Sequence, residues 1–278
     1  MSGERFDAAK AAAPAGAWAL LGCPYDGTVS FRPGARFGPA AIRAASGGIE
    51  LYSWSQRSDL ESLEFTDRGD VELPLGAAER ALERIHAQAR EIWRGGARVF
   101  GLGGEHLVTL PLVQAALERH ADLVVVQLDA HADLRADYLG QRLSHACVMR
   151  RVVEQIGAER LVQLGIRSGT GEEHSFAEHN GTLGSIDAAG LAALRRRIGL
   201  APVYLTLDLD VLDPAYLPGT GTPEAGGWSA AQLLQVLGEL GELRVVAADV
   251  VELAPQLDPS GCSAVAAAKL VREMLLRW

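Results

Sequence analysis

Short apolar runs alternate along the chain with longer segments in which apolar residues follow a helical spacing. The runs are β-branched and nearly continuous in hydrophobicity, as expected of strands that are covered on both faces. Six of these runs predict strands, at Trp18–Gly22, Arg98–Leu102, Leu123–Asp129, Leu161–Ile166, Val203–Asp208 and Val245–Val250. Two weaker strands are predicted at Phe65–Asp70 and Thr182–Ile186.

The segments between the runs predict helices. An apolar stripe runs through Gly76–Trp93, and the glycine pair that follows it is typical of a helix C-terminus. Pro39 stands where a helix is expected to begin. The other predicted helices are Leu110–His120, Ala146–Ile156, Asp187–Ile198, Ser229–Leu240 and Ser263–Leu276, with Ser229 as an N-cap. The polar stretch Ser168–Asn180 is interpreted as a loop that either lines a pocket mouth or is mobile.

Repetition of strand and helix predicts an α/β fold with a mostly parallel sheet and helices on both faces. In such sheets the ligand site lies outside the carboxyl ends of the strands. The chain of 278 residues has no long linker, low-complexity block or internal repeat. We therefore expect a single domain spanning residues 1–278.

Charge and cysteine content restrict the class of partner. A net charge of −9 argues against a nucleic-acid-binding protein, which usually has a basic face. Cys23, Cys147 and Cys262 are far apart and odd in number, which fits reduced thiols in a cytoplasm. The apolar run Ala17–Cys23 is too short to span a bilayer, and the N-terminal segment does not resemble a secretory signal. We expect a cytoplasmic protein without a membrane partner.

Three potential metal ligands follow the apolar run Val124–Leu128. The run ends in Asp129-Ala130-His131-Ala132-Asp133, so aspartate, histidine and aspartate occupy alternate positions. If the chain stays extended there, residues two positions apart point to the same side. A single aspartate at a strand end is commonly a turn former or helix cap, but two that flank a histidine indicate a binding site.

Two further predicted strands end in residues of the same kind. One continues into Asp208 and Asp210, and another leads to His106, which could reach the same site. Uncompensated carboxylates gathered in one place repel one another and raise their own pKa values, and bound cations relieve this repulsion. The sequence therefore predicts a metal site.

The proposed ligands are four aspartates and two histidines, without cysteine. Sites rich in carboxylate with some imidazole suit Mn²⁺ better than a thiolate-binding metal. Six protein ligands exceed what one catalytic zinc ordinarily uses. A pair of metals about 3.5–4 Å apart uses them all and can hold a bridging hydroxide. We therefore expect two Mn²⁺ ions per subunit.

The motifs and their order resemble those of the ureohydrolase family, which contains arginases, agmatinases and their relatives. The resemblance covers nearly the whole chain and is closest to agmatinases. It rests on Gly103-Gly104-Glu105-His106, Asp129-Ala130-His131-Ala132-Asp133 and Asp208-Leu209-Asp210-Val211-Leu212-Asp213-Pro214, with Gly22–Pro24, Asp26-Gly27, Arg32-Pro33-Gly34 and Gly38-Pro39 near the start. It implies a three-layer α/β/α sandwich around a mostly parallel eight-stranded sheet, and a homotrimer or homohexamer.

The resemblance also implies how the ligands divide between the metals. One manganese would be held by His106, Asp129, Asp133 and Asp208, and the other by His131, Asp129, Asp208 and Asp210. Asp129 and Asp208 would bridge. Many family members have aspartate at the position of Glu105, but that position is not a ligand, so we expect adjusted surroundings rather than loss of metal.

Further residues are implied to act on the substrate. A metal-bridging hydroxide would attack the guanidinium carbon, and Asp210 or the metals would stabilise the tetrahedral intermediate. His145 would carry a proton to the leaving amine. Glu252, after the last predicted strand, would bind the guanidinium through its paired acceptors. Thr222, in the agmatinase-like stretch Pro218–Glu224, is another candidate for binding substrate.

The expected substrate is a small cationic guanidino compound, agmatine first, hydrolysed to putrescine and urea in polyamine biosynthesis. The loop 134–143 lacks the Ser-Gly-Asn element by which arginases typically bind the amino-acid end of their substrate. Asp137 is a candidate acceptor for the distal amine of agmatine. A guanidino acid would instead need a cation, which Arg135 or Arg142 could supply. Aminopropylagmatine, guanidinobutyrate, guanidinopropionate and arginine therefore stay open as substrates.

Three other classes of protein are disfavoured by the sequence. A zinc-dependent deacetylase of related fold would use one metal and fewer ligands, so His106 and the second carboxylate pair disfavour it. A non-catalytic subunit usually lacks at least one ligand, and none is missing here. A dinucleotide-dependent enzyme needs a glycine-rich turn after an early strand, and Gly22-Cys23-Pro24 does not supply one.

Overall fold

The computed structural model describes residues 5–74 and 76–278. The strands are β1 (Trp18–Cys23), β2 (Tyr52–Ser53), β3 (Ser58–Asp59), β4 (Phe65–Asp70), β5 (Arg98–Gly103), β6 (Val124–Leu128), β7 (Leu161–Leu164), β8 (Val203–Asp208) and β9 (Val245–Val251). Seven of them form one sheet in the order β4-β1-β5-β9-β8-β6-β7, and every neighbouring pair is parallel. The short strands β2 and β3 form a separate antiparallel hairpin.

Helices cover the sheet on both faces. They are α1 (Gly38–Ser46), α2 (Ala78–Arg94), α3 (Thr109–Leu117), α4 (Val148–Ile156), α5 (Gly171–Asn180), α6 (Ala188–Ile198), α7 (Ala230–Glu239) and α8 (Cys262–Arg277). Alternate strand residues enter two separate hydrophobic cores: Leu20 packs with the core beneath α1, α6, α7 and α8, and Leu21 with the core beneath α2, α3 and α4. The predicted α/β/α sandwich is therefore confirmed.

The predicted strands of the main sheet agree with the observed ones except at its edge. The six strong strands and the weaker strand Phe65–Asp70 are confirmed, as are the N-cap role of Ser229 and the helix start near Pro39. The predicted strand Thr182–Ile186 is wrong, because that segment makes only an isolated bridge between Leu183 and Gln163. The sheet therefore has seven strands among the described residues, where eight were expected.

Helix α5 lies within Ser168–Asn180, where the polar sequence predicts a loop. Its ends are well defined: Thr170 and Glu173 form a reciprocal capping box at the start, and Gly181 closes the end in the left-handed conformation. The helix has no apolar stripe and buries only Glu173 and Ala177. Periodicity could not reveal it, whereas the Thr-x-x-Glu spacing could have.

The order of the strands determines where the site lies. Strand β9 is inserted between β5 and β8, so the carboxyl ends of β5, β9, β8 and β6 are neighbours at one edge of the sheet. Within the described ranges, none of the helices has both the length and the apolar character needed to cross a membrane. The single domain over residues 1–278 stays a prediction, since residues 1–4 and 75 lie outside the described part.

Candidate active site

Side chains from four adjacent strands meet at the carboxyl edge of the sheet. Strand β5 leads to His106, β9 to Glu252, β8 to Asp208 and Asp210, and β6 to Asp129. The strand residues before them are buried on both faces, so the polar side chains begin where the apolar layers end. This position is the usual ligand site of an open parallel sheet.

His106 is the centre of the first group of donor atoms. Its Nδ1 lies 2.9 Å from Asp129 Oδ2, 3.1 Å from Asp133 Oδ2 and 3.2 Å from Asp208 Oδ2. All four residues are buried. Among the described residues Nδ1 has no hydrogen-bond partner, whereas Nε2 lies 2.9 Å from the hydroxyl of Thr206. An imidazole nitrogen that faces three carboxylate oxygens without a hydrogen bond is placed as a metal ligand would be.

His131 and Asp210 form the second group. His131 Nδ1 lies 2.9 Å from Asp210 Oδ2 and 3.7 Å from Asp129 Oδ1. Asp129 thus directs one oxygen to each group, and the two groups share this carboxylate. Asp208 lies with the first group, and its Oδ1 accepts the backbone N–H of Asp210 at 2.9 Å. A bridging role fits the position of Asp129, while that of Asp208 stays a prediction.

Electrostatic repulsion among these carboxylates is large. Burial raises the pKa of Asp208 well above its usual range, and the charges of Asp210 and Asp129 raise it further. Burial, followed by the charge of Asp129, raises the pKa of Asp133 to about 6. Cations seated between the groups would remove this repulsion. Oxygen and imidazole nitrogen donors without thiolates fit divalent metal ions, so the residues present match a two-metal site.

A buried hydrogen-bond network lies behind His106. The Thr206 hydroxyl contacts His106 Nε2 at 2.9 Å and the Thr109 hydroxyl at 3.4 Å. Thr109 and Tyr204 donate to the same oxygen of Asp249, at 2.7 and 2.6 Å. Asp249 is fully buried, and burial raises its pKa. The network keeps the His106 ring in the orientation that directs Nδ1 at the carboxylates.

His145 is held at the wall of the site by the segment that follows β1. Its backbone N–H donates to the Thr28 hydroxyl at 3.1 Å, and its Nε2 lies 3.1 Å from the Ser30 hydroxyl. Thr28 donates its own N–H and hydroxyl to the buried carboxylate of Glu105. Burial, before the positive charges nearby, lowers the pKa of His145 to about 4. A neutral imidazole is therefore favoured at this position.

Glu252 has an unusual backbone conformation for its residue type. Its φ is +67°, in the left-handed region that non-glycine residues avoid. Its N–H donates to the carbonyl of Gly104 at 2.8 Å, and its Oε1 accepts the N–H of His106 at 2.7 Å. Burial raises its pKa well above the usual range, and the charge of Glu105 adds to this. The strained backbone thus holds a carboxylate that a bound cation would stabilise.

Thr222 lies against the second group of donors. Its hydroxyl donates to Asp210 Oδ2 at 3.2 Å. Arg32 fixes the preceding turn, because its guanidinium donates to the carbonyls of Thr220 at 2.6 Å and Gly221 at 3.3 Å. Arg32 belongs to the Arg32-Pro33-Gly34 motif near the start of the chain, for which the sequence indicates a role in folding or in subunit contacts. A direct contact between Thr222 and substrate stays a prediction.

A cavity of about 230 Å³ connects these side chains. It is lined by candidate ligands and proposed substrate-binding residues, His131, Asp133, Asp208, Asp210, Thr222, Glu252 and His145, and also by Ser30, Arg135, Tyr138, Ser168, Gly169 and Glu173. Of the three charged residues suggested for the distal end, the structure places only Arg135 at the cavity. Asp137 instead accepts the N–H of Gly140, and Arg142 pairs with Glu154 and is mostly exposed.

Sequence reasoning missed Ser30 and Tyr138 as site residues. Glu173 lies in the stretch Ser168–Asn180, one interpretation of which is the lining of a pocket mouth. Tyr138 packs its ring edge-on to His145, with the Arg135 guanidinium over its face at 4.8 Å from the ring centre. Glu173 is buried and lies 3.6 Å from Arg135. The capping-box spacing could have found Glu173. Ser30 and Tyr138 lie in loops whose conformation depends on contacts with distant segments.

Comparison with known proteins gives a consistent result. A model of the arginase family matches residues 17–276. The agmatinase of Bacillus subtilis is 44% identical over 261 residues, which cover 92% of this chain and 90% of that protein. The solved structure of proclavaminate amidinohydrolase from Streptomyces clavuligerus has a TM-score of 0.87 and 32% identity, covering 95% and 92% of the two chains. That of the agmatine ureohydrolase of Thermoplasma volcanium has a TM-score of 0.87 and 28% identity, covering 100% and 94%.

Proposed function

The chain belongs to the arginase family, and from this premise we propose that it hydrolyses agmatine to putrescine and urea with the help of two Mn²⁺ ions. As a member it is a hydrolase of guanidino carbon–nitrogen bonds. The observation that carries the proposal is the sharing of Asp129 between two donor groups at a cavity that also contains Glu252 and His145. The agmatinase relatives support agmatine as the substrate.

Six side chains would hold the two ions. The first ion would be bound by His106, Asp129, Asp133 and Asp208, and the second by His131, Asp129, Asp208 and Asp210. Two Mn²⁺ ions bound there would supply a hydroxide nucleophile at neutral pH by lowering the pKa of water. The preference for manganese rests on the donor chemistry, which combines carboxylates with imidazole and includes no thiolate.

Glu252 would bind and orient the guanidinium. With Oε1 accepting the His106 N–H, the other oxygen is available to a substrate N–H. A planar guanidinium donates well to a carboxylate, and its positive charge would offset the repulsion between Glu252 and Glu105. The strained backbone of Glu252 supports this role, because such strain is concentrated at functional positions.

His145 would carry a proton between the nucleophile and the leaving amine. The low pKa of the buried ring favours the neutral imidazole, which accepts a proton and then donates it. Contacts with Thr28 and Ser30 hold the ring at the cavity wall, beside Tyr138. The diamine would leave with that proton. The oxygen of the nucleophile would become the carbonyl oxygen of urea.

The contacts of Arg135 at the cavity support a substrate without an amino-acid end. The Arg135 guanidinium is already compensated by Glu173 and by the face of Tyr138. A guanidino acid would have to compete for Arg135 with these contacts. Because a proclavaminate amidinohydrolase is also among the relatives, at 34% identity, guanidino acids belong in the experimental comparison.

The test is urea release by Mn²⁺-loaded protein from agmatine, arginine, guanidinobutyrate, guanidinopropionate and aminopropylagmatine. We expect the highest kcat/KM with agmatine and no activity in Asp129→Asn. The matched control is Asp187→Asn, which changes an exposed helix cap and should keep wild-type activity. A preference for another substrate would contradict the agmatine assignment but keep the chemistry. No urea from any of them, with two metals bound, would contradict the proposed function.

A further inference from the structure

Two buried glutamines stand behind the candidate metal centre, in the same row of the sheet as Thr206 and Asp249. Gln127 on β6 and Gln163 on β7 are neighbours in the sheet register. They are 0% and 1% exposed. The residues two positions before them, Val125 and Leu161, belong to the hydrophobic core on the same face. A buried amide without partners is costly, so glutamine at these positions needs a structural reason.

The two amides form a continuous chain of hydrogen bonds that ends on Asp129. The Thr182 hydroxyl donates to Gln163 Oε1 at 2.7 Å. Gln163 Nε2 donates to Gln127 Oε1 at 2.7 Å, and Gln127 Nε2 donates to Asp129 Oδ2 at 2.7 Å. We call Thr182, Gln163 and Gln127 the amide relay. Its last acceptor is the same oxygen that lies 2.9 Å from His106 Nδ1.

The direction of the amide relay is fixed by its surroundings. Each amide nitrogen also donates to a carbonyl of the metal-motif loop: Gln127 to His131 at 3.1 Å, and Gln163 to Ala132 at 2.8 Å. Rotating either amide by half a turn would exchange its oxygen and its nitrogen. The oxygen would then face only hydrogen-bond acceptors, which is unfavourable. Both N–H groups of each glutamine are therefore used, and one arrangement of the hydrogen bonds is allowed.

The contacts reach three points of one short loop. They are the Asp129 carboxylate and the carbonyls of His131 and Ala132. Asp133, the next residue, has a left-handed φ of +54°, and the loop must hold this conformation for its carboxylate to lie near His106. The amide relay thus orients the shared carboxylate and also supports the backbone that carries two more candidate ligands.

We propose that Gln127 and Gln163 are positioning residues that set the affinity of the metal centre by orienting Asp129 and the loop 129–133. The inference rests on the proposed function, because that proposal assigns metals to these ligands. Glutamine is suited to this task since it is a neutral donor. Glutamate at either position would place acceptor against acceptor. An apolar side chain at 127 would remove the donor to Asp129 and to the His131 carbonyl, and one at 163 would remove the donor to Gln127 and to the Ala132 carbonyl.

The decisive variants change Gln163, which touches no candidate ligand side chain. Gln163→Glu keeps the shape but removes both N–H donors, and Gln163→Met keeps the volume without any polar atom. Groups that hydrogen-bond a metal ligand directly typically contribute about 10–100-fold to metal affinity. Gln163 acts one hydrogen bond further away, through Gln127, so we expect Mn²⁺ binding to weaken toward the lower end of that range, by about 10-fold. The matched control is Gln235→Glu, an exposed position on α7, where affinity should stay unchanged.

Mn²⁺ affinity and stoichiometry are measured by calorimetric titration of the metal-free protein, with the paramagnetic resonance of the paired ions as a second readout. Unfolding midpoints without metal separate the inference from a general loss of stability. Gln163→Met leaves Gln127 Oε1 and the Ala132 carbonyl without their donor, so we expect a lower unfolding midpoint than in the wild type even without metal. The inference is tested by the rise in the midpoint when Mn²⁺ is added, which should be smaller in the variant than in the wild type. If Gln163→Glu does not fold, the same measurements are made on Gln163→Met alone.

Two results would overturn the inference, and they are distinguishable. If the wild type binds two Mn²⁺ ions and both Gln163 variants bind them equally tightly, the amide relay does not set affinity, while the proposed function stands. If the wild type binds no divalent metal, the proposed centre fails and the inference fails with it. Weaker binding in the Gln163 variants, with an unchanged Gln235→Glu control, supports the inference.

Discussion

The hydroxyl oxygen of Ser30 lies 3.1 Å from Nε2 of His145, although 115 residues separate them in the chain. This contact holds the ring that is proposed to transfer the proton. We predict that His145→Ala lowers kcat by about 10²–10⁴-fold, the usual contribution of a positioned acid–base group, with both metals retained. Ser30→Ala should lower kcat by only about fivefold, corresponding to one hydrogen bond of about 1 kcal/mol.

Steady-state urea release and metal analysis of the same samples check both changes. His174→Ala is the matched control, because His174 is exposed on α5. A His145→Ala protein with wild-type kcat would contradict the proton-transfer role. Loss of metal in that variant would indicate instead that the ring acts through the metal centre.

Removal of single candidate ligands should separate the two metals. His106→Ala or Asp133→Ala removes a donor from the first group alone, so we expect about one Mn²⁺ per chain to remain bound. Asp129→Ala removes the shared carboxylate and should abolish binding of both ions. Metal content after dialysis against a weak chelator measures the difference. Full activity in Asp208→Ala would contradict its bridging role.

Neutralising Glu252 should weaken guanidinium binding. Glu252→Gln can keep the oxygen that accepts the His106 N–H but loses the charge that attracts the substrate. A charged hydrogen bond of about 1.5–3 kcal/mol predicts a loss in kcat/KM of about 10–150-fold. Kinetics with agmatine measure it, and Glu242→Gln, at an exposed position, is the control. An unchanged kcat/KM would show that another group binds the guanidinium.

A pH-dependent contribution to stability is expected far from the site, at Glu273 on α8. Burial alone would raise its pKa, but hydrogen bonds from Gln56, Arg272 and Ser53 outweigh burial and lower the pKa from 4.5 to about 2. The pKa of Glu273 is therefore lower in the folded protein than in the unfolded chain. As a result, its ionised carboxylate stabilises the fold fully above pH 4.5, and this stabilisation is lost as the pH falls toward 2.

We therefore predict that Glu273→Gln lowers the free energy of unfolding by about 2 kcal/mol at pH 7. The difference from the wild type should shrink as the pH falls from 4.5 to 3. Denaturant unfolding at several pH values measures this, with the exposed Glu159→Gln as control. If the difference in the free energy of unfolding between the two proteins grew on acidification, the lowered pKa of Glu273 would be contradicted.

Much of the fold could be predicted because strands buried on both faces have a distinctive composition. Candidate ligands could be predicted for the same reason: polar residues such as Asp129 stand directly after such runs, and parallel strands bring their ends together. Helix α5 could not be predicted from periodicity, because it is polar on nearly all sides. Its capping box is a local signal that does not depend on an apolar stripe.

Contacts between distant loops are the part that the sequence could not provide. Nothing near Ser30 indicates that it meets His145, because the contact depends on how two loops cross the sheet edge. Asp137 was a reasonable candidate by charge, but its carboxylate caps the turn at Gly140. Charge identifies the residues that could bind an ion, whereas loop conformation decides which of them face the cavity.

The central position of β9 has a consequence for biosynthesis. Among the described strands β9 is the last in chain order, yet it separates β4-β1-β5 from β8-β6-β7. Until residues 245–251 have emerged from the ribosome, the nascent chain can form only two three-stranded halves. One half carries His106 and the other carries the aspartates, so neither half alone contains the complete candidate active site. It must form late, when one strand joins the two halves.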